Sequence, residues 1–278
     1  MLNEIAPHCF RNEYKLATPK ETDVVLYFED QQVALIQRGE EIRLPILAEF
    51  KEHYLLENPD LEYLFSIDDQ AFFLFIETKI SIDNPFVLHK TDVFRELSPQ
   101  YEAFAGSTAS QLNRFYHNNL FCGRCQTRMQ RSKVERAVTC PCCKQIIYPK
   151  ISPAVIVAIT DGNRLLMTRY AAGKYKKYAL VAGYVEIGES FEEAVHREVM
   201  EEVGLKIKNL RYYKSQPWAF SDSMMVGYFA ELDGSDAITL QESELAEATW
   251  FNIEDIPENS STLSISQELV RCIREGKY

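Results

Sequence analysis

The polar and apolar positions change rhythm twice along the chain. Up to about residue 112, short apolar runs alternate with polar stretches, as in Val24-Val25-Leu26-Tyr27-Phe28 and Ala71-Phe72-Phe73-Leu74-Phe75-Ile76. Such runs predict the strands of a small mixed domain. The small polar stretch Ser107-Thr108-Ala109-Ser110-Gln111 marks a boundary near residue 112, with Leu112 to Tyr116 helical. From residue 150 the texture becomes α/β. Ala154 to Ile159 reads as a buried strand, Asp161-Gly162-Asn163 as a turn, and Arg164 to Thr168 as the returning strand. Near the end, Ile265, Leu269, Cys272 and Ile273 recur at helical spacing, and Gly276 is a stop signal. The expected division is 1–112, 118–149 and 150–278. We find no internal repeat and no low-complexity tract.

The clearest helix lies between Ser190 and Gly204. Ser190 and Glu193 form the S-x-x-E capping box, and Gly204 sits where a C-cap is needed. Phe191, Val195, Val199 and Val203 repeat every fourth residue, predicting a buried stripe. Glu198, Glu201 and Glu202 crowd another face, with Glu189 in the preceding loop and only Arg197 interleaved. Like charges at this spacing cost roughly 0.2–0.5 kcal/mol per pair. A divalent cation would remove that repulsion, and oxygen ligands suit magnesium or manganese.

A second concentration of chemistry lies at 118–149. Cys122-Gly123-Arg124-Cys125 and Cys140-Pro141-Cys142-Cys143 are two C-x-x-C pairs separated by 14 residues. Each pair can turn two thiolates toward one ion, and together they complete a tetrahedral, structural zinc site. The spacing favours Cys140 and Cys143, although Cys142 adjoins the latter. Cys9 and Cys272 read as core or surface thiols, and His117 as a non-ligand. Arg124, Arg128, Arg131, Lys133 and Arg136 make the segment locally basic, either a solvated surface or a contact for phosphate or RNA.

Charge and composition narrow the function classes. The 278 residues carry 30 Lys+Arg against 41 Asp+Glu, a net charge of −11, with 46% hydrophobic residues. So acidic a chain is a poor non-specific binder of nucleic acid or anionic membrane. There is no apolar run of transmembrane length and no signal-peptide pattern at the start. A cytoplasmic, reducing setting is expected, in which cysteines serve as metal ligands rather than disulfides. No G-x-G-x-x-G and no P-loop occurs, so a dinucleotide would be substrate rather than bound cofactor.

The stretch from Gly183 to Leu205 resembles the Nudix box, G-x5-E-x7-R-E-U-x-E-E-x-G-U. Gly183, Glu189, Arg197, Glu198, Val199, Glu201, Glu202, Gly204 and Leu205 fill every fixed position. The resemblance implies an α/β/α sandwich with a mixed sheet, preceded here by a zinc ribbon and a small N-terminal mixed α/β domain. It implies that Glu198 and Glu202 ligate magnesium or manganese, with Glu201 as ligand or base and the Ala182 carbonyl as a further ligand. Arg197 would pair with Glu189 and orient the carboxylates.

Ser215-Gln216-Pro217-Trp218-Ala219-Phe220-Ser221-Asp222-Ser223 is similar to the S-Q-P-W-P-F-P-x-S signature of the NADH pyrophosphatase branch. It departs at Ala219 and Ser221, where prolines are expected; prolines that pre-order a loop contribute about 0.4–1 kcal/mol each. The segment from Glu244 to Phe251 resembles that branch's acidic segment, with Glu244 as another metal ligand. By the same resemblance Arg95, Glu135, Tyr148 and Ser266 match substrate-contacting positions. Tyr148, Tyr184 and Trp218 would suit flat rings.

The implied reaction is hydrolysis of NADH or NAD+ at the central diphosphate, giving nicotinamide mononucleotide and AMP, in a homodimer. Removal of NAD caps from RNA 5′ ends is a second implied substrate. The alternatives are a Nudix hydrolase of ADP-ribose or a dinucleoside polyphosphate, and a non-catalytic zinc-ribbon protein binding nucleotide or RNA.

Overall fold

The computed structural model describes residues 1–76, 79–171, 177–241, 243, 245–257 and 261–278. The chain divides into two compact units, Leu2–Lys150 and Ile151–Tyr278, with Met1 packed into the second.

The first unit carries β1 (Phe10–Arg11), β2 (Val24–Glu29), β3 (Gln32–Arg38), β4 (Glu41–Arg43), α1 (Leu47–Tyr54), β5 (Leu61–Ile67), β6 (Gln70–Phe75) and β7 (Phe86–Lys90). Its strands join in the order β1-β5-β6-β2-β3-β4, and β7 also pairs with β3. The two apolar runs legible in the sequence, β2 and β6, lie side by side and parallel. Phe50 of α1 is fully buried against Tyr27, Phe73, Phe75 and Phe86.

Next comes α2 (Gln100–Asn118), 19 residues long. It runs unbroken through the small polar stretch 107–111, correcting the expectation of a break there. Ser107, Ala109 and Ser110 are buried; their small side chains make close helix packing possible, which a composition reading mistakes for a linker. Three short strands, β8 (Gln130–Arg131), β9 (Val138–Thr139) and β10 (Ile146–Ile147), pair antiparallel and finish the unit.

The second unit is a sandwich around β11 (Ser152–Asp161). The remaining elements are β12 (Arg164–Tyr170), β13 (Val181–Tyr184), α3 (Phe191–Val203), β14 (Ile207–Trp218), β15 (Ser223–Leu232), β16 (Leu245–Asn252) and α4 (Ile265–Arg274). The strand order is β14-β15-β11-β12-β16, with β13 on β11. Only β11 and β15 pair in parallel; the other ladders are antiparallel, so the sheet is mixed.

Alternation along β11 sets the layers. Val155, Val157 and Ile159 join Val195, Val199 and Val203 of α3 in one core. Ile156 and Ala158 join Ile265, Leu269, Cys272 and Ile273 of α4 in the other. The predicted strand, turn and return at 154–168 and the closing helix are all present, with Gly162 at φ +56 and Gly276 at φ +66. Among the described residues no helix is long and apolar enough to cross a membrane.

Candidate active site and metal centre

The Ser190 side chain accepts from the Glu193 backbone N–H at 3.2 Å, while the Glu193 carboxylate accepts from the Ser190 N–H at 2.8 Å. Both halves of the capping box therefore form and fix the start of α3. Gly204 closes the helix at φ +68, and its N–H donates to the Met200 carbonyl. Ala194, Val195, Val199 and Val203 bury the apolar face. Phe191 does not belong to that stripe: it is 39% exposed in the first turn, and Ala194 takes the buried place. Before the helix, the Glu189 N–H bonds back to the Glu186 carbonyl and the Glu189 carboxylate accepts the Glu186 N–H at 2.9 Å. This tight turn aims Glu189 at the helix.

Arg197 gathers the carboxylates. Its Nε and Nη2 donate to Glu189 at 2.5 and 3.0 Å, and Nη1 donates to Glu198 at 2.8 Å and Glu201 at 2.9 Å. Nη2 also donates to the Tyr184 carbonyl at 3.0 Å. A guanidinium has five N–H donors, so these five bonds use all of them. Arg197 therefore positions carboxylates and has no donor left for another group. Its charge and two hydrogen bonds hold the Glu189 carboxyl down at about 2, and the carboxylates raise Arg197 in turn.

The three glutamates of α3 do not share one solvent-facing surface. The Glu201 side chain is 52% exposed and that of Glu198 12%, whereas Glu202 is only 2% exposed and lies on the core side of the helix. Gly183 leaves room for the Glu198 carboxylate: a Cβ there would lie 2.0 Å from its carboxyl carbon and push that side chain aside. Among the described residues, the glutamates do not bring ligand atoms to metal-cluster spacing as the cysteines do. Arg197 stands among them instead.

A cleft of about 460 Å³ opens here. Ala182 and Tyr184 of β13 line it with Glu198 and Glu201, and Ser221 and Ser223 close it from the β14–β15 hairpin. Glu186 lines it too. Sequence reasoning passed over Glu186, although its place three residues before Glu189 was the available signal. Apart from the Met225 thioether the ligand atoms of the lining are oxygens, and a buried carboxylate such as Glu202 calls for a cation or protein partner. The donor set therefore fits a magnesium- or manganese-type ion.

The rest of the signature has a mostly structural placement. Trp218 pairs with Ser223 across the hairpin, and Ala219–Ser221 form a single 3-10 turn ending at Asp222, φ +53. The Ser221 and Ser223 hydroxyls are 2.8 Å apart. The Trp218 and Phe220 rings lie 5.1 Å apart at 59°, Ala219 is buried, and Pro217 pairs with Met224. Gln216 corrects the expectation of a substrate contact: it is fully buried, donates to the Leu263 carbonyl and accepts from the Ile265 N–H, both at 2.7 Å. It braces the start of α4.

Ser266 does not line the carboxylate cleft. It lines a separate cavity of about 350 Å³ with Tyr178, Lys177 and Arg271. Glu244 lies outside the described residues. Arg95, Glu135 and Tyr148 belong to the first unit. Arg95 donates to Asp92 at 3.2 Å, and the Tyr148 hydroxyl meets both Glu135 oxygens at 3.2 Å.

The first unit also holds the metal centre. The Sγ atoms of Cys122, Cys125, Cys140 and Cys143 all lie within 4.8 Å of one another. Cys122 and Cys143 are 3.5 Å apart, Cys125 and Cys140 3.4 Å. Zinc–sulfur bonds of about 2.3 Å in a tetrahedron place sulfurs roughly 3.8 Å apart, so the cluster fits zinc. Cys142 is exposed and outside it, which settles the ambiguity beside Cys143.

Two matching turns build this cluster. The Gln126 N–H bonds to the Cys122 carbonyl and the Lys144 N–H to the Cys140 carbonyl. Gln126 and Lys144 both sit at positive φ, +60 and +64. Of the five basic residues nearby, two point into the unit. Arg131 is paired with Asp60 and Glu62. Arg136 donates to Asn12 and the Leu64 carbonyl. Arg124, Arg128 and Lys133 are exposed.

A profile of the NUDIX domain matches residues 150–269. Over 173 residues the chain is 43% identical to the NAD-capped RNA hydrolase NudC of Chromobacterium violaceum, covering 62% of this chain and 65% of that protein. Over 181 residues it is 41% identical to the protein of that name from Haemophilus influenzae, covering 64% and 68%. Its counterpart in Shigella flexneri is 44% identical over 147 residues, covering 53% and 57%. The chain thus spans between 57% and 68% of the length of these relatives.

Proposed function

The chain belongs to the Nudix family, and we propose that it hydrolyses the central diphosphate of NADH and NAD+ to nicotinamide mononucleotide and AMP. The observation that carries this reading is the cleft lined by Arg197, Glu198 and Glu201, at which Arg197 is also held by Glu189 and the next residue of the helix, Glu202, is a buried carboxylate. Water oxygen bonds to one phosphorus, the bond from that phosphorus to the bridging oxygen breaks, and two phosphomonoesters leave. The other half leaves with the bridging oxygen on its phosphate, and whatever is attached beyond that phosphate plays no part in the exchange. The proposal therefore extends to removing an NAD cap from an RNA 5′ end, the activity named for the relatives at 41–44% identity.

Ala182, through its carbonyl, and Glu198, Glu201 and Glu202 would hold magnesium or manganese. When bound, such ions neutralise diphosphate oxygens and lower the pKa of the attacking water. Glu198 and Glu201 would exchange part of their bonding to Arg197 for this role, while Glu189 keeps the guanidinium in place. Glu201, the more exposed carboxylate, would also take the proton from water. Tyr184 and Ser221 would contact substrate in the cleft, Ser223 standing behind Ser221, with the Trp218–Phe220 ring pair beside them for a flat base. Zinc at the four cysteines is structural in this reading, and a cytoplasmic homodimer belongs to the proposal.

Side-by-side turnover of NADH, NAD+, ADP-ribose and NAD-capped RNA with magnesium tests it. Release of AMP from NADH, faster than turnover of ADP-ribose, is expected. No magnesium-dependent AMP release from NADH would overturn it and favour a binding protein.

A further inference from the structure

Ser221 and Ser223 are, with the exposed Tyr184 phenol, the hydroxyl donors of the cleft wall, and they alone of these are paired to each other. Their neighbours Glu186, Glu198 and Glu201 are carboxylates, which accept only when ionised. Arg197 lines the same cleft, but its five N–H groups are all taken.

Two hydroxyls 2.8 Å apart share one hydrogen bond, so one of their two protons remains to be given elsewhere. The surroundings decide which. Ser223 is 2% exposed, and among the described residues its other neighbour of this kind is the Met225 sulfur at 3.9 Å, a weak acceptor. Ser221 is exposed, and among the described residues its hydroxyl meets only Ser223. The favourable arrangement has Ser223 donating to Ser221 and Ser221 presenting its own proton to the cleft. The polarised outer hydroxyl is the stronger donor for being second in the chain. The frame is rigid: Ser223 is in register with Ser152 on the parallel neighbour β11, and the Ser152 N–H bonds to the Asp222 carbonyl at 2.7 Å.

We propose that Ser223 and Ser221 form a hydroxyl relay whose outer proton is given by Ser221 to a diphosphate oxygen of the substrate. Ser221 contacts substrate, and Ser223 is a positioning residue acting through it. A proline, which the resembling signature carries at position 221, has no hydroxyl, so the relay sets this chain's cleft apart. The proposal rests on the functional reading above, through the diphosphate it assigns to the cleft.

The test compares Ser221→Ala, Ser221→Thr, Ser223→Ala and the double alanine variant. kcat/KM for NADH and calorimetric affinity for magnesium ADP are both read. Ser221→Ala should lower each about tenfold, the size expected for one hydrogen bond to a charged group. Ser221→Thr should restore both to within about threefold of wild type. Ser223→Ala should cost less, and the double variant no more than Ser221→Ala alone, because the inner hydroxyl acts only through the outer one. Melting temperature should not move with Ser221→Ala, since that side chain is exposed. Values within twofold of wild type for Ser221→Ala in both readouts, or losses that multiply in full, would overturn the relay. If NADH is not hydrolysed but Ser221→Ala still weakens magnesium ADP, the relay stands and the substrate reading falls. If wild type does not bind magnesium ADP, the relay falls.

Discussion

Glu202 is a carboxylate at 2% exposure, buried on the core side of α3 with Val195, Val199 and Val203. Glu202→Gln keeps the shape and removes the charge. At saturating magnesium it should lower kcat at least a hundredfold with the melting temperature within a few degrees of wild type. Glu192→Gln, at the exposed start of the same helix, should stay within about threefold. Activity of Glu202→Gln within tenfold would take it out of the catalytic centre. Acid should act differently on Glu189. Its folded value of about 2 lies below the ordinary carboxylate range, so what its pairing contributes is present above that range and is lost only as pH falls toward 2. Hydrogen exchange at 186–190, corrected for intrinsic rates, should therefore keep its protection from pH 7 to pH 4. Loss of protection by pH 4 would contradict the pairing. The Arg197–Glu189 pair was legible through the box resemblance. The burial of Glu202, the exposure of Phe191 and the inward turn of Gln216 were not. Spacing of three and four places residues on a helix surface, but not where the sheet meets it. Likewise, alternation along a strand cannot say that a buried amide will find two backbone partners.

The ribbon shows what local sequence can and cannot specify at the level of an element. Paired C-x-x-C spacing was enough to select Cys122, Cys125, Cys140 and Cys143 and to cast Cys142 as the doubtful member. The left-handed residues that follow each pair, Gln126 and Lys144, carried no signal, because neither is the glycine or asparagine that usually marks such a backbone. The strands here are only two residues long, so a zinc bound at the four cysteines would supply much of the folding free energy. Purified protein should contain about one zinc per chain, by elemental analysis. Cys125→Ser should lower the zinc content and the melting temperature together, and chelation should reproduce the shift. A chelated, zinc-free sample that melts like wild type would end the structural role. The helix α2 teaches the converse. Its small polar residues suggested a domain boundary, yet Ser107, Ala109 and Ser110 are buried along a continuous helix because small side chains also permit close packing.

Over the whole molecule, charge that looks alike in sequence has divided into two tasks. Arg131 neutralises Asp60 and Glu62, and burial pushes the Glu62 carboxyl up. Arg131→Met leaves both acids without that cation. The cost should fall between the roughly 1 kcal/mol of an exposed pair and the 3–5 kcal/mol of breaking a buried one, read as a lower melting temperature. Arg124→Ala, at an exposed position, should leave melting unchanged and weaken binding of a 5′-capped oligonucleotide as salt is varied. A melting loss for Arg124→Ala, or none for Arg131→Met, would reverse the assignment. Composition alone could count five cations near the cysteines but not tell which had partners distant in sequence, Asp60 and Leu64 being some 70 positions away. The two units also carry donor sets of opposite character, four thiolate-forming cysteines in the first and chiefly carboxylate oxygens in the second, where the one sulfur of the cleft lining is the Met225 thioether. Soft and hard ions are therefore sorted between them. Cadmium or cuprous ion would be drawn to the thiolates and spare the glutamates, whereas excess calcium would compete at the glutamates and ignore the thiolates. Poisoning by a soft metal should thus show first as loss of folding in the ribbon, and inhibition by a hard one as loss of turnover in a protein that remains folded.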